Sequence, residues 1–430
     1  MPARCFLALL LCLPLCVAAV GLRADTVPVN SAAALPEAIA EAITAATGGT
    51  VLLLAAGDYG RLDLNGLVMP ADQPLVLRGD AGGGTVITGM MLRDVQNLVL
   101  ENIRFDYTFT PGDSPRLRVF QVNDSQGITI RNAVFDGDVA RGISAVSDGF
   151  GTAFGLNLRG SSRVTVEHTE IRGFYRGLTV SRCQDITIRG NDVHDIRMDG
   201  MNFAQITGGV IEANYIHDFN RSLASRDHAD MIQFWTEDTT APSRDIVIRN
   251  NVLSSGAGWY TQSIFMRNER VDKGEAGPEM YYQNILITQN VIINAHLHGI
   301  SIGASNGLTI SNNTVIRNAR SEGERNNVLL WTPRINVAPR SQRVQILRNV
   351  TSRIDGYENQ NDWTVTDNLL VQDRGQAQSG VFYDAAFADA RAGDPQDLAS
   401  FSYRTGGPLD RTGLGADRLD TPYPALPVVR

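Results

Sequence analysis

The residues able to do chemistry cluster in five segments that share one pattern. They are Arg176-Gly177-Leu178-Thr179-Val180, Asp199-Gly200-Met201-Asn202-Phe203, Asp230-Met231-Ile232-Gln233-Phe234, Gln262-Ser263-Ile264-Phe265-Met266 and His298-Gly299-Ile300-Ser301-Ile302. Stacked as neighbouring strands about 4.8 Å apart, they turn Leu178, Met201, Ile232, Ile264 and Ile300 inward. Thr179, Asn202, Gln233, Phe265 and Ser301 then face out, with Trp235 and Arg267 one pleat further, while Arg176, Asp199, Asp230, Gln262 and His298 open the strands. Flat rings stack on pyranose faces and amides meet hydroxyls. Asn202, Gln233, Trp235, Phe265, Arg176 and Gln262 are therefore the candidate contacts of a sugar-binding groove. The insertions after His217 and after Arg267 are expected to wall it, since insertions on one face of a repeat structure are usually its binding loops. Five of the six histidines (His194, His217, His228, His296 and His298) fall in the same stretch and are expected to gather there.

If the sugar is acidic, the chemistry is proton abstraction next to a carboxylate. That needs a base near C5 and a cation to hold the carboxylate as negative charge develops. Arg267 suits the second role through its two-pronged guanidinium. His228, within Arg226-Asp227-His228-Ala229-Asp230, has flanking carboxylates that would raise and orient its basicity; His298 is the other candidate base. Asp199 and Asp230 could serve as acids or as oxygen ligands. Each has a plain structural counterpart: a surface arginine bonding the next coil, a loop-fastening histidine, a corner histidine before Gly299. His194-Asp195 and His217-Asp218 occupy equivalent places in successive coils and read as a stacked polar ladder. Lys273, the only lysine among 38 basic residues, reads as solvated, and Cys183 as a small buried apolar residue.

What must position these residues is a repeat. Alternating apolar residues followed by a polar turn recur, with Leu100, Ile130, Val166, Ile188, Ile211, Ile248, Ile287, Ile310, Ile346 and Val365 as markers. The short steps cluster near twenty-two residues, and the long ones look like the same unit carrying a loop. A period of two gives strands with one face in and one out. No Asn-Gly hairpin signals separate them, so each repeat stacks on the next as a parallel ladder around a shared core. An asparagine three residues after the marker recurs at 191, 214, 251, 290, 313, 349 and 368. Asparagine tolerates the left-handed backbone of a sharp corner, and stacked amides can hydrogen-bond along the axis. The pattern predicts an all-β fold, a right-handed single-stranded parallel β-helix of about ten or more coils. An Ala-rich amphipathic helix over 35–46 is expected to cap its first coil, because bare terminal strands are aggregation-prone edges.

Composition agrees. A chain of 430 residues is too long for one compact core, and 20% charged with 43% hydrophobic residues excludes a disordered or multi-span membrane protein. A net charge of -8 argues against nucleic acid or anionic membrane as partner, though a local arginine patch can still meet an acidic ligand. Arg4, the apolar run from Phe6 to Val20 and the small residues near Ala19 read as a signal peptide over 1–24. The expected product is secreted or periplasmic and monomeric, with no stable membrane insertion after cleavage. Its remaining cysteine, Cys183, has no intramolecular partner. The β-helix is expected over 25–375, with a closing segment over 376–430.

The repeats, the N-terminal helix and the phrase from Gly48 to Tyr59 resemble the pectate-lyase-like β-helix superfamily of secreted carbohydrate-active proteins, over roughly Leu35 to Leu370. The resemblance implies action on an acidic, uronate-containing polysaccharide or oligosaccharide, with β-elimination as the leading reaction, and it allows Ca2+ as a cofactor. It also leaves room for a polygalacturonase-like hydrolase, a C5-epimerase or a non-catalytic glycan-binding protein. Met198-Asp199-Gly200, Asp227-His228-Ala229-Asp230 and His298-Gly299 are similar in order to the acidic and His-Gly motifs of polygalacturonases. On that likeness Asp199, Asp227 or Asp230 would be the carboxylates, although they are not adjacent and an extra coil separates Asp230 from His298. The Asp-Pro-His stretch usual in the epimerases is not found.

Overall fold

The computed structural model of the chain describes residues 25–45, 49–322, 328–373 and 380–419. The expected signal peptide lies outside these, as do parts of the C-terminal segment. Three parallel sheets of 13, 11 and 13 strands run the length of the molecule. Each coil contributes one strand to each sheet, and every strand pairs with its counterpart one coil away. This is the right-handed parallel β-helix that the repeat predicts. All ten marker residues fall in one file of one 13-stranded sheet, Leu100 against Ile130, Ile130 against Val166, and so on to Ile346 against Val365. Long and short repeats stay in register because their extra residues leave the coil as loops.

Inward side chains form one continuous core. Like residues stack within it: the rings of Phe105 and Phe135 lie 4.5 Å apart, those of Phe203 and Phe234 4.7 Å. The helix Leu35–Ala45 turns Leu35, Ile39 and Ala42 onto the open first coil, as expected of a cap. A strand the sequence reading did not assign, Asp25–Val29, pairs in parallel with Thr50–Leu54 beneath it. At the other end Tyr383, Phe387 and Phe401 pack against Val291, Ile293 and Ile316 on the flank of the helix. Among the described residues no helix is long and apolar enough to cross a membrane.

The asparagine file corrects one physical expectation. The residue with left-handed backbone at each corner is the one before the asparagine, of varied type: Gly190, Ala213, Asn250, Gln289, Asn312, Arg348 and Asp367. The ladder asparagines instead supply hydrogen bonds. Asn251 Nδ2 donates to Asn290 Oδ1 (2.9 Å) and to the Ile211 carbonyl (3.0 Å), while its Oδ1 accepts from the Nδ2 (2.9 Å) and backbone N–H (3.0 Å) of Asn214. The side chain is fully buried, so Asn251→Ala orphans several polar groups at once. Each buried unsatisfied group costs about 1–3 kcal/mol. Asn251→Ala is therefore expected to lose at least about 2 kcal/mol, seen as a lower midpoint in urea unfolding followed by circular dichroism.

Candidate functional site

The 11-stranded sheet carries the site on its outer face. Thr179, Asn202, Gln233, Phe265 and Ser301 form one file, residue against residue, as the shared pattern predicts. Behind them Leu178, Met201, Ile232, Ile264 and Ile300 are fully buried. The alternation that hides these five turns the others to the opposite face, where Asn202, Gln233 and Ser301 are still buried, 4%, 6% and 4% exposed.

At the start of the strands Asp199 and Asp230, on adjacent rungs, are both 0% exposed. Asp199 Oδ1 and both Asp230 oxygens lack any donor from the surrounding protein. Burial lifts the pKa of both, and the Asp199 carboxylate lifts that of Asp230 further, well above the ordinary range. Two carboxyls placed this way cannot both ionise and hold one proton between them. Arg176 Nε lies 2.9 Å from Asp199 Oδ2, an ion pair off the hydrogen-bonding line, with its guanidinium over the Phe154 ring.

A chain of polar contacts ties this pair to the outer file. Asn202 Nδ2 donates to Asp199 Oδ2 at 2.9 Å and to Gln233 Oε1, and Trp235 Nε1 donates to Asn202 Oδ1 at 2.7 Å. Gln233 Nε2 lies 3.2 Å from His228 Nε2, which is itself 3.5 Å from Asp230 Oδ2. An amide nitrogen can only donate, so the His228 Nε2 it meets is the lone-pair nitrogen. The imidazole is half exposed at 53%. Its loop is fastened by Asp227, which accepts from Arg197 Nη2 (2.8 Å), Tyr175 OH (3.0 Å) and Ser225 Oγ (3.0 Å). These donors hold the Asp227 carboxyl below its usual value against burial. Asp227 is thus an anchor, whereas Asp199 and Asp230 are buried beneath Asn202, Gln233 and His228 with oxygens left unpaired.

Asp230 has a testable pH signature. It binds a proton more tightly folded than unfolded, so its contribution is fully present below the ordinary carboxylate range and is lost as pH rises through the raised pKa. Asp230→Asn removes that loss. Its unfolding midpoint is expected to gain on the wild type as pH climbs from about 4, and equal pH slopes for the two proteins would contradict the shared proton.

Not every expected residue joins this cluster. Arg267 follows Trp235 by one rung and stands five residues along the strand from Gln262, the register partner of Asp230. At about 3.3 Å per residue that is roughly 16 Å along the strand direction. Its Nε faces Asp272 Oδ2 at 3.6 Å and the side chain is 51% exposed. The ion pair of Arg267 is with Asp272 and not with the cluster, while His228 reaches Gln233, whose register partner Phe265 is two residues from Arg267. His298 sits two rungs beyond Asp230, its Nδ1 2.8 Å from Ser301 Oγ and its ring 4.9 Å from that of Phe265. Gln262 has a buried amide oxygen with no hydrogen-bond partner.

The expected gathering of five histidines is also corrected. His194 and His217 lie on another sheet, in strands Asp192–His194 and Tyr215–His217. They form the polar ladder: rings 5.0 Å apart, each with both nitrogens on carboxylates, Glu170 and Asp195 for His194, Asp192 and Asp218 for His217. These partners outweigh burial and push His194 up to about 10. Lys273 pairs with Glu237 at the surface, and Cys183 is buried, its thiol pushed up to about 11 by burial.

The sequence reading missed the arginines upstream. A cavity of about 480 Å³ on the same face is lined by Arg93, Arg118, Arg159, Arg176 and Arg182, with Asn157 and Trp235. Arg93, Asn123, Arg159, Ser181, Ala204 and Trp235 make a single file. The signal was available, since each follows an inward residue (Leu92, Val122, Leu158, Val180) in the same frame as Phe234-Trp235. Extending that frame three coils back from Arg176 finds it. Five guanidiniums facing one cavity that holds only Asp124 as acid make a local positive field on an acidic protein.

The family model "Right handed beta helix region" matches residues 150–386, more than half of the chain. This chain belongs to the right-handed β-helix family. No curated protein sequence matches this β-helix protein significantly. Its fold is similar to that of PfbA, a surface adhesin of Streptococcus pneumoniae (14% identity, 84% of this chain and 97% of the adhesin covered, TM-score 0.51). It also matches a Paenibacillus alginate lyase (12% identity, coverage 80% and 99%, TM-score 0.40) and the A-module of the Azotobacter vinelandii mannuronan C-5 epimerase AlgE6 (16%, 82% and 98%, 0.39).

Proposed function

We propose that this β-helix protein is an exported, carbohydrate-active enzyme that binds an acidic, uronate-containing polysaccharide and cleaves it by β-elimination. The observation that carries the reading is the arginine-lined cavity, two of whose lining residues, Arg176 and Asn202, contact Asp199 of the Asp199–Asp230–His228 cluster. A uronate at the junction places its carboxylate on Arg176, whose charge is opposed there only by the partly protonated aspartate pair. His228 Nε2 takes the C5 proton, the electron pair becomes the C4–C5 double bond, and the oxygen at C4 leaves, taking a proton from the imidazolium. Gln233 and Asn202 hold the base and the aspartates, and Trp235 offers its ring to a sugar face. Arg176 takes the neutralising role in this reading because it touches the cluster, whereas Arg267 stands across the groove.

Two features bear on the competing reactions. Glycoside hydrolysis uses two accessible carboxyls about 5–9.5 Å apart across the bond, but Asp199 and Asp230 are fully buried and share a proton. Among the described residues, Asp199, His228 and Asp230 are the group whose ligand atoms converge, within 4.8 Å. Calcium takes six to eight oxygens, and this set offers a nitrogen and two carboxyls with a guanidinium already on one of them. The donors do not fit calcium, and no step is drawn through it.

The test is incubation with a panel of uronate polymers. Ultraviolet absorbance of unsaturated uronate supports elimination. Reducing ends without it mean hydrolysis, solvent proton exchange without cleavage means epimerisation, and retention on the glycan alone means a binding protein.

A further inference from the structure

A second pair of reactive side chains lies outside that cluster. His298 opens its strand and Ser301 stands three residues on, the spacing at which Asp199 and Asn202 also meet one another three coils away. The pairing of His298–Ile302 with Arg334–Val337 shifts register between His298 and Ile300. Such bulges re-aim side chains and are frequent next to active sites. At this bulge His298 Nδ1 and Ser301 Oγ lie 2.8 Å apart. We infer that Ser301 and His298 form a nucleophile–base pair that hydrolyses small O-acyl esters, the natural substrate being an O-acylated sugar held at this end of the groove.

Three observations support it. Ser301 and His298 open on a cavity of about 200 Å³, room for an acetyl group, which Phe265, Arg267 and Asn336 also line. Asn336 is the register partner of Ser301, and among the described residues its amide makes no hydrogen bond. It is a free donor one rung from the nucleophile, where an oxyanion would form. Burial, and then the charge of Arg334, push His298 down to about 4, so the imidazole is uncharged at neutral pH with its Nδ1 against Ser301, and the rate is set by a weak base. Phe265 packs on the ring at 4.9 Å.

Ser301 Oγ attacks the acyl carbonyl and its proton passes to His298 Nδ1. The tetrahedral intermediate collapses, the sugar oxygen leaves with that proton, and an acyl-serine remains. Water, deprotonated by the same imidazole, releases the carboxylic acid and restores Ser301. Only water is consumed.

The natural substrate rests on the polysaccharide reading, but the test does not. The folded protein is treated with a fluorophosphonate probe and digested for mass spectrometry, and p-nitrophenyl acetate hydrolysis is followed in parallel. The expected result is a label on Ser301 and ester turnover that falls at least about 100-fold in Ser301→Ala. His298→Gln is expected to lose the label as well. No label on Ser301 of the wild type, or equal turnover in Ser301→Ala of unchanged circular dichroism, overturns the inference. The wild-type label decides the matter even if a variant fails to fold. A positive result with no activity on any polyuronate leaves the esterase standing and removes the lyase.

Discussion

His228→Ala is expected to lower turnover of a polyuronate by about 10²–10⁴-fold, the range for loss of a positioned general base, with little change in KM. The argument is geometric. His228 is the one half-exposed base in the cluster, with its Nε2 turned to Gln233 and 3.5 Å from a buried carboxyl. Gln233 holds that nitrogen as an acceptor, so Gln233→Leu should lower kcat by a smaller factor through the imidazole alone. Thermal stability separates a base from a loop fastener: loss of a base lowers kcat at an unchanged unfolding midpoint, whereas loss of a fastener lowers the midpoint. Full activity of His228→Ala would remove the proposed mechanism.

The second large effect is expected at Arg176, where alanine should cost about 10²–10³-fold in kcat, as for loss of one preorganised electrostatic contact in an active site. Lysine should rescue it only in part, because a point charge does not reproduce the planar fork. Arg176 lines the 480 Å³ cavity and lies 2.9 Å from Asp199, so it joins the binding surface to the reacting centre. Neutralisation acts on the carboxylate, so the penalty should shrink when the polymer's carboxylates are methyl-esterified. Arg118→Ala and Arg159→Ala, further along the same cavity, should instead raise KM and flatten its dependence on salt. An Arg176→Ala enzyme that loses activity equally on free and esterified polymer would place the arginine in a structural role.

How much of this was legible in the sequence differs by element. The coil was fully legible: ten apolar markers and seven asparagines recur in phase, and a stacked strand needs nothing else to find its register. The file Thr179–Asn202–Gln233–Phe265–Ser301 was legible for the same reason. The arginine cavity was legible in principle and overlooked, because Arg93, Arg118 and Arg159 sit in coils whose loops hide the shared frame. The partner of Arg267 was not legible, because Asp272 reaches it from the insertion that follows the strand.

The sequence by itself determined the solenoid, because inward apolar alternation and a hydrogen-bonding corner are local properties repeated until they become global. Only the tertiary structure decided that burial and the neighbouring Asp199 raise the Asp230 carboxyl well above its ordinary range, that Asp227 is an anchor, and that His298 meets Ser301. Burial, charge coupling and the path of a loop depend on which coils become neighbours and how their loops fold back, and no single coil carries that information.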